Sequence, residues 1–258
     1  MRLHVSAELE YGIEQPADLL VQIETATLPG QTVSNATFDP GETAHIHRIA
    51  AEDGVGTRVW LHCTEKLLCS FEADIDIDRV RPDLSTLKQD PVFQLPHEAV
   101  RYLMSSRFCP AEEFHSFVGS EFGHLSGGAA VAEISNWIYK NFIYTPGSSS
   151  ASTTAVDTFV KRRGICRDYA HVLVAFARAA AIPARMVSCY GPDVDPQDFH
   201  ATVQVWLEGA WHLVDATGMA TADEIAIVGV GRDAADIAFL TSYGWVDLIN
   251  QRVQVTRI

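Results

Sequence analysis

Gly164-Ile165-Cys166-Arg167-Asp168-Tyr169-Ala170-His171 is the stretch from which the rest of this chain can be read. The residues from Cys166 to Ala180 form a helical run that ends before Ile182-Pro183. A cysteine in the first turn of a helix feels the positive end of the macrodipole and unpaired N–H groups, and both favour thiolate. Gly164 lets the backbone turn tightly just ahead of it. Free cysteines also serve as small apolar packing residues, so a nucleophile needs a partner that can act as its base.

His171 lies on the same helix but is set about 140° around it from Cys166, which removes it as a base. His200 opens the strand His200-Ala201-Thr202-Val203-Gln204-Val205-Trp206. A two-residue turn at Glu208-Gly209 pairs Thr202 with Asp215, Gln204 with Leu213 and Trp206 with Trp211. His200 and Asp215 then share a face as diagonal neighbours about 7–8 Å apart at the backbone, within reach of an imidazole and a carboxylate. A slip of one residue would send them to opposite faces, so the site depends on this register.

These positions define roles. Asp215 accepts from one ring nitrogen of His200, and His200 holds the Cys166 thiolate as an ion pair. The Cys166 backbone N–H is a natural oxyanion donor. The Tyr144 hydroxyl is the candidate second donor, with Trp137 as substitute, although both residue types also fill cores. Asp168, third in the helix, supports its N-terminus.

Outward from this site, Thr154 to Arg163 reads as a short helix closed by Lys161, Arg162 and Arg163, with Gly164 as the residue beyond its end. Strands follow the Cys166 helix at 186–190, 200–207 and 211–216, an α+β arrangement. Upstream, Phe114, Phe117 and Val118 follow Pro110 at helical spacing, and Val131, Ile134, Trp137, Ile138 and Phe142 form a second apolar stripe. The first eighty residues alternate with period two: Leu3, Val5, Ala7 and Leu9 face one way, as do Leu67, Cys69, Phe71, Ala73, Ile75 and Ile77. Turn signals at Pro29-Gly30, Asp39-Pro40-Gly41 and Asp53-Gly54 separate these strands. The expected organisation is a β-sandwich over 1–85 and an α+β core over 86–258.

The run Gly164-x-Cys166-x-Asp168-x-Ala170-His171 resembles the nucleophile helix of bacterial transglutaminase-like proteins. His200 at the head of one strand and Asp215 at the next match that family's order, and Ile182-Pro183-Ala184-Arg185 and Gly231 to Asp236 are similar to it as well. The β-rich segment from Met1 to about Val80 resembles the region often found ahead of that core. The resemblance implies a papain-related fold with the nucleophile helix packed on an antiparallel sheet. It also implies a cysteine peptidase or amidase, a transglutaminase, or a member that has kept the fold as a binding module. Hydrolysis ranks ahead of transamidation because no feature visibly excludes water from an acyl-enzyme.

Composition narrows the field further. The 258 residues are 47% apolar, enough for a substantial core, and carry a formal charge of −14. No basic stripe accompanies that acidity, which argues against nucleic acid or an anionic membrane as partner. The partner expected is a peptide, protein or small amide substrate. The first residues lack the apolar core of a leader, and no run of about eighteen apolar residues occurs. Five cysteines without Cys-x-x-Cys spacing suit free thiols in a reducing cytoplasm. No cofactor is expected. His45 and His47 share a strand face near His62 but lack further ligands for a metal. Asp193 to Asp198 lacks the glycine and closing glutamate of an EF-hand and reads as a solvated acidic loop on the rim of the cleft. Gly229-Val230-Gly231 is no dinucleotide fingerprint.

Overall fold

Alternation builds the first strand, β1 (Arg2–Ile13), which buries Leu3, Val5, Ala7 and Leu9. The computed structural model describes residues 1–258. Five more strands follow: β2 (Ala17–Val21), β3 (Gln31–Asp39), β4 (His45–Ala50), β5 (Thr57–Cys63) and β6 (Lys66–Ile77). A helical region comes next, with α1 (His97–Val100), α2 (His115–Phe122) and α3 (Gly127–Asn141). The short strand β7 (Ile143–Tyr144), helix α4 (Ala155–Lys161) and short strand β8 (Arg163–Gly164) lead into α5 (Cys166–Ala179). The remainder is β9 (Ala184–Tyr190), β10 (His200–Leu207), β11 (Ala210–Val214), β12 (Ala226–Gly231), α6 (Ala234–Ile237), β13 (Leu240–Ser242) and β14 (Val246–Arg257).

The fold is α+β, with helix α5 packed on an antiparallel sheet. That sheet has the order β11-β10-β9-β12. Helix α5 lies on it and is buried along nearly its whole length, Val172, Leu173, Val174 and Phe176 all being inaccessible. Ala201, Val203, Val205 and Leu207 of β10 join the same core. On the far side of α5, Phe114, Phe117, Phe122, Trp137, Phe159 and Phe176 form a cluster of tilted and edge-on rings.

Two four-stranded sheets, β14-β1-β6-β3 and β13-β2-β5-β4, form the sandwich. Its composition corrects the expected boundary at 85. Strand β14 pairs with β1 (Leu3 opposite Arg257, Ala7 opposite Val253) and β13 pairs with β2, so residues 240–257 belong to the sandwich. The physical reason is burial: Val253 and Val255 complete the apolar layer begun by Val5 and Ala7.

The α5 sheet and the sandwich are also joined directly. Tyr190 of β9 is buried in the sandwich core, and its hydroxyl donates to the Ile23 carbonyl at 2.6 Å. Asp53, in the turn between β4 and β5, accepts from the Tyr102 hydroxyl at 2.6 Å and from Arg185 of β9 at 2.8 Å. The Arg185 guanidinium lies over the Trp211 ring at 4.1 Å.

One local expectation also needs correcting. Helix α4 ends at Lys161, and the chain turns through Arg162 at φ 54°, two residues before the expected Gly164. Arg162 tolerates this left-handed conformation with its guanidinium stacked over Phe159 at 4.1 Å and Trp137 at 4.6 Å. Gly164 serves a different purpose, described below.

Candidate active site

The site is assembled at the N-terminal end of α5. Strands β7 and β8 pair in parallel, with Tyr144 opposite Gly164, and the Thr145 N–H donates to the Gly164 carbonyl at 2.8 Å. This pairing sets Tyr144 beside the turn into Cys166. A Cβ on Gly164 would stand 2.6 Å from the Asp168 Cβ, so only glycine fits there. Asp168 is inaccessible and folds back on the turn, its Oδ2 accepting from the Ile165 N–H at 2.9 Å. As the first helical residue, Cys166 presents a backbone N–H with no partner inside the helix.

The β10–β11 hairpin brings the other two groups. Its turn residues Glu208 and Gly209 both have positive φ, 51° and 75°, which matches the twist of a two-residue hairpin. Val203 therefore faces Val214, Gln204 faces Leu213 and Trp206 faces Trp211. His200 and Asp215 meet on one face, Nε2 to Oδ2 at 2.9 Å. Both side chains are almost wholly removed from solvent, at 0% and 3% exposure.

Asp215 is held from several sides. Its Oδ1 accepts from the Thr217 N–H at 2.9 Å and the Thr217 hydroxyl at 2.8 Å, and its Oδ2 accepts from the Ala220 N–H at 3.0 Å. The other His200 nitrogen, Nδ1, is buried, makes no hydrogen bond to nitrogen or oxygen, and faces the Cys166 thiol. Burial alone disfavours a charged ring, but the hydrogen bond to Asp215 and the neighbouring Cys166 thiol outweigh it and raise the His200 pKa to about 10.

Cys166 is only 8% exposed, and its sulfur lies 4.0 Å from the Phe199 carbonyl oxygen. The Tyr144 hydroxyl lies against both the Cys166 thiol and the Cys166 backbone N–H; burial and the adjacent sulfur push this phenol up, keeping it protonated. Cys166, His200, Asp215 and Tyr144 thus form one chain of neighbours, and Asp168 braces the turn that carries Cys166. Trp137 does not join them: it packs in the aromatic cluster beneath Arg162. His171 lies deeper in the core, stacked on Phe108, where its Nε2 accepts from the Ala234 N–H at 3.2 Å. Burial lowers its pKa to about 3, so it stays neutral.

Other expected features fall elsewhere. His62 pairs with Asp18 at 2.8 Å on the sandwich surface, and His45 and His47 stack on the neighbouring strand. The five cysteines are all unpaired. Thr217 was missed in the sequence, yet Asp215-Ala216-Thr217 is a recognisable signal. An aspartate accepting from the N–H two residues ahead forms an Asx-turn, which fixes the carboxylate before histidine arrives.

Residues 120–216, which span Cys166, His200 and Asp215, match the family model of the transglutaminase-like superfamily. A candidate cysteine protease from Cytophaga hutchinsonii, known from its crystal structure, shares the fold at a TM-score of 0.94 and is 28% identical, covering 99% of this chain and 90% of that one. A Mycobacterium leprae protein of uncharacterised function is 30% identical over 142 residues, half of each chain. A Mycobacterium tuberculosis protein, likewise uncharacterised, is 29% identical over 139 residues, 48% of this chain and 44% of its own. The chain spans about half the length of these curated relatives. Residues 120–216 are therefore similar to the core of the transglutaminase-like superfamily, and the fold as a whole is that of the Cytophaga protein.

Proposed function

We propose that the protein is a thiol-dependent amide hydrolase, a cysteine peptidase or amidase, with Cys166 as nucleophile, His200 as base and Asp215 as the group that orients the base. The observation that carries this reading is the arrangement of the His200 ring. Nε2 is tied to an immobilised carboxylate at 2.9 Å, and Nδ1 is buried without a hydrogen-bond partner, next to the thiol.

In this reading the His200 imidazolium and the Cys166 thiolate form an ion pair, and the sulfur attacks the amide carbonyl carbon. The developing oxyanion takes hydrogen bonds from the Cys166 N–H and the Tyr144 hydroxyl. His200 then gives its proton to the leaving amine, the C–N bond breaks, and a thioester remains. A water deprotonated by His200 attacks the thioester, releasing the acid and restoring the thiolate. Asp215 orients the ring and stabilises its charged form. Asp168 keeps the turn in place and takes no part in the chemistry.

A peptide or protein amide is the substrate class favoured by the core's family and by its likeness to the Cytophaga protein. Transamidation is the second reading, because a sulfur with 8% exposure gives a thioester partial shelter from water. The unpaired thiols suit a reducing compartment, which favours the cytoplasm. No helix is long and apolar enough to cross a membrane.

Iodoacetamide labelling of the five cysteines against pH, in the wild type and His200→Ala, tests the reading. Cys166 should react fastest near neutral pH and lose that advantage without His200. Reactivity no greater than that of Cys63 or Cys189 would favour an inert binding module. With a substrate in hand, a primary amine incorporated into the product would favour transamidation.

A further inference from the structure

Asp198 stands next to Phe199, whose carbonyl faces the Cys166 sulfur, and two residues before His200. The loop carrying it is held by the sandwich. Gln197 imitates a paired strand against β14: its Nε2 donates to the Val255 carbonyl at 2.9 Å, and its Oε1 accepts from the Val255 N–H at 2.7 Å. Gln251 of the same strand donates to Asp198 Oδ1, as does the Phe199 N–H at 2.7 Å. The Asp198 carboxylate is thus fixed in direction by neutral donors while remaining exposed to solvent.

No basic side chain forms an ion pair with Asp198, whereas Asp193 on the same loop is matched by Arg257. The cation beside the nucleophile is committed elsewhere: Arg167 donates to the Ser149 hydroxyl at 3.0 Å, the Ser150 carbonyl at 2.7 Å and Asp168 at 3.1 Å. The Asp198 charge acts on the Tyr144 phenol, which lies against Cys166. An exposed carboxylate with no basic partner therefore stands one residue from the carbonyl that faces the Cys166 sulfur.

We infer that Asp198 is a specificity-determining residue that selects acyl donors carrying a positive charge beside the scissile amide. The class that fits is a peptide with lysine or arginine near the cleaved or transferred bond. This inference rests on the thiol reading of Cys166. A carboxylate already oriented by Gln251 and Phe199 meets an ammonium or guanidinium without further ordering cost, and it repels an anionic donor.

Charged thiol reagents test this without a known substrate. Two methanethiosulfonates, one with a trimethylammonium tail and one with a sulfonate tail, are compared for their rate at Cys166. Each rate is read by peptide mass spectrometry and divided by that reagent's rate with a small free thiol. Wild type should prefer the cationic reagent, Asp198→Asn should cut that preference about fivefold, and Asp193→Asn should leave it unchanged. Asparagine retains an acceptor for both neutral donors, so the loop stays anchored. An unchanged preference in Asp198→Asn, with labelling still dependent on His200, would overturn the assignment and leave the thiol reading standing. Slow labelling indifferent to His200 would remove both.

Discussion

Asp215 reaches His200 diagonally across the β10–β11 hairpin, its Oδ2 lying 2.9 Å from Nε2, while a threonine two residues further on holds its other oxygen. The carboxylate is therefore positioned by its own turn and orients the ring without needing the ring to orient it. A ring organised in this way has a pH signature. The His200 pKa is raised from 6.5 to about 10, so the charged ring persists well into the alkaline range. In the proposed reaction, where His200 gives a proton to the leaving amine, the basic limb of turnover should lie far above that of an ordinary histidine. Asp215→Asn should move it down by a unit or more and slow turnover about a hundredfold or more. A basic limb that stays in place in the variant would remove Asp215 from its role.

The same shift links to stability. Because the folded-state pKa lies above the unfolded value, the His200 contribution is fully present below about pH 6.5 and is lost as pH rises through about 10. Urea unfolding of wild type and His200→Ala should show a stability difference that shrinks across that window.

Gly164→Ala should damage the site through its scaffold. The added Cβ would press within 2.6 Å of the Asp168 Cβ, and neither residue has room to retreat. A loss of about 1–3 kcal/mol in denaturant unfolding is expected, together with slower labelling of Cys166.

Tyr144→Phe separates the oxyanion role from packing. The ring keeps its contacts, so thermal unfolding should move little, while kcat should fall about ten- to a hundredfold with KM nearly unchanged. Full activity in this variant would leave the Cys166 N–H without this phenol as its companion.

Asp53→Ala probes the join between the sandwich and the α5 sheet. It strips the carboxylate from Arg185, which is only 7% exposed, and from the Tyr102 hydroxyl. An unmatched buried guanidinium costs about 3–5 kcal/mol, read as a lower denaturant midpoint. A midpoint unchanged from wild type would show that solvent reaches this pair.

The sequence carried much of this arrangement because its decisive signals are short-range. The Glu208-Gly209 turn sets a register that reaches Asp215 within a few residues, and the glycine before Cys166 marks the helix entry. What escaped depends on distance along the chain. Strand β14 is exposed over Asp247 to Asn250 and buries only Val253 and Val255, so its alternation is faint. Its partner β1 stands at the opposite end of the described residues, beyond the reach of local pattern. Trp137 escaped for another reason: an indole in an amphipathic helix carries no mark that tells a core residue from a donor.

Strand β1 is synthesised near the start of this stretch, and β14, which closes one of its edges, only near the finish. During translation the chain can make the helix, the hairpin and all three chemical groups while β1 still lacks that neighbour. Gln251 and Val255 emerge with β14, so the segment leading into His200 gains its anchor only once that strand has formed. A chain that stopped short of β14 would leave Gln197 and Asp198 without these partners. The pairing of the two distant strands thus ties the anchoring of the segment before His200 to the arrival of β14.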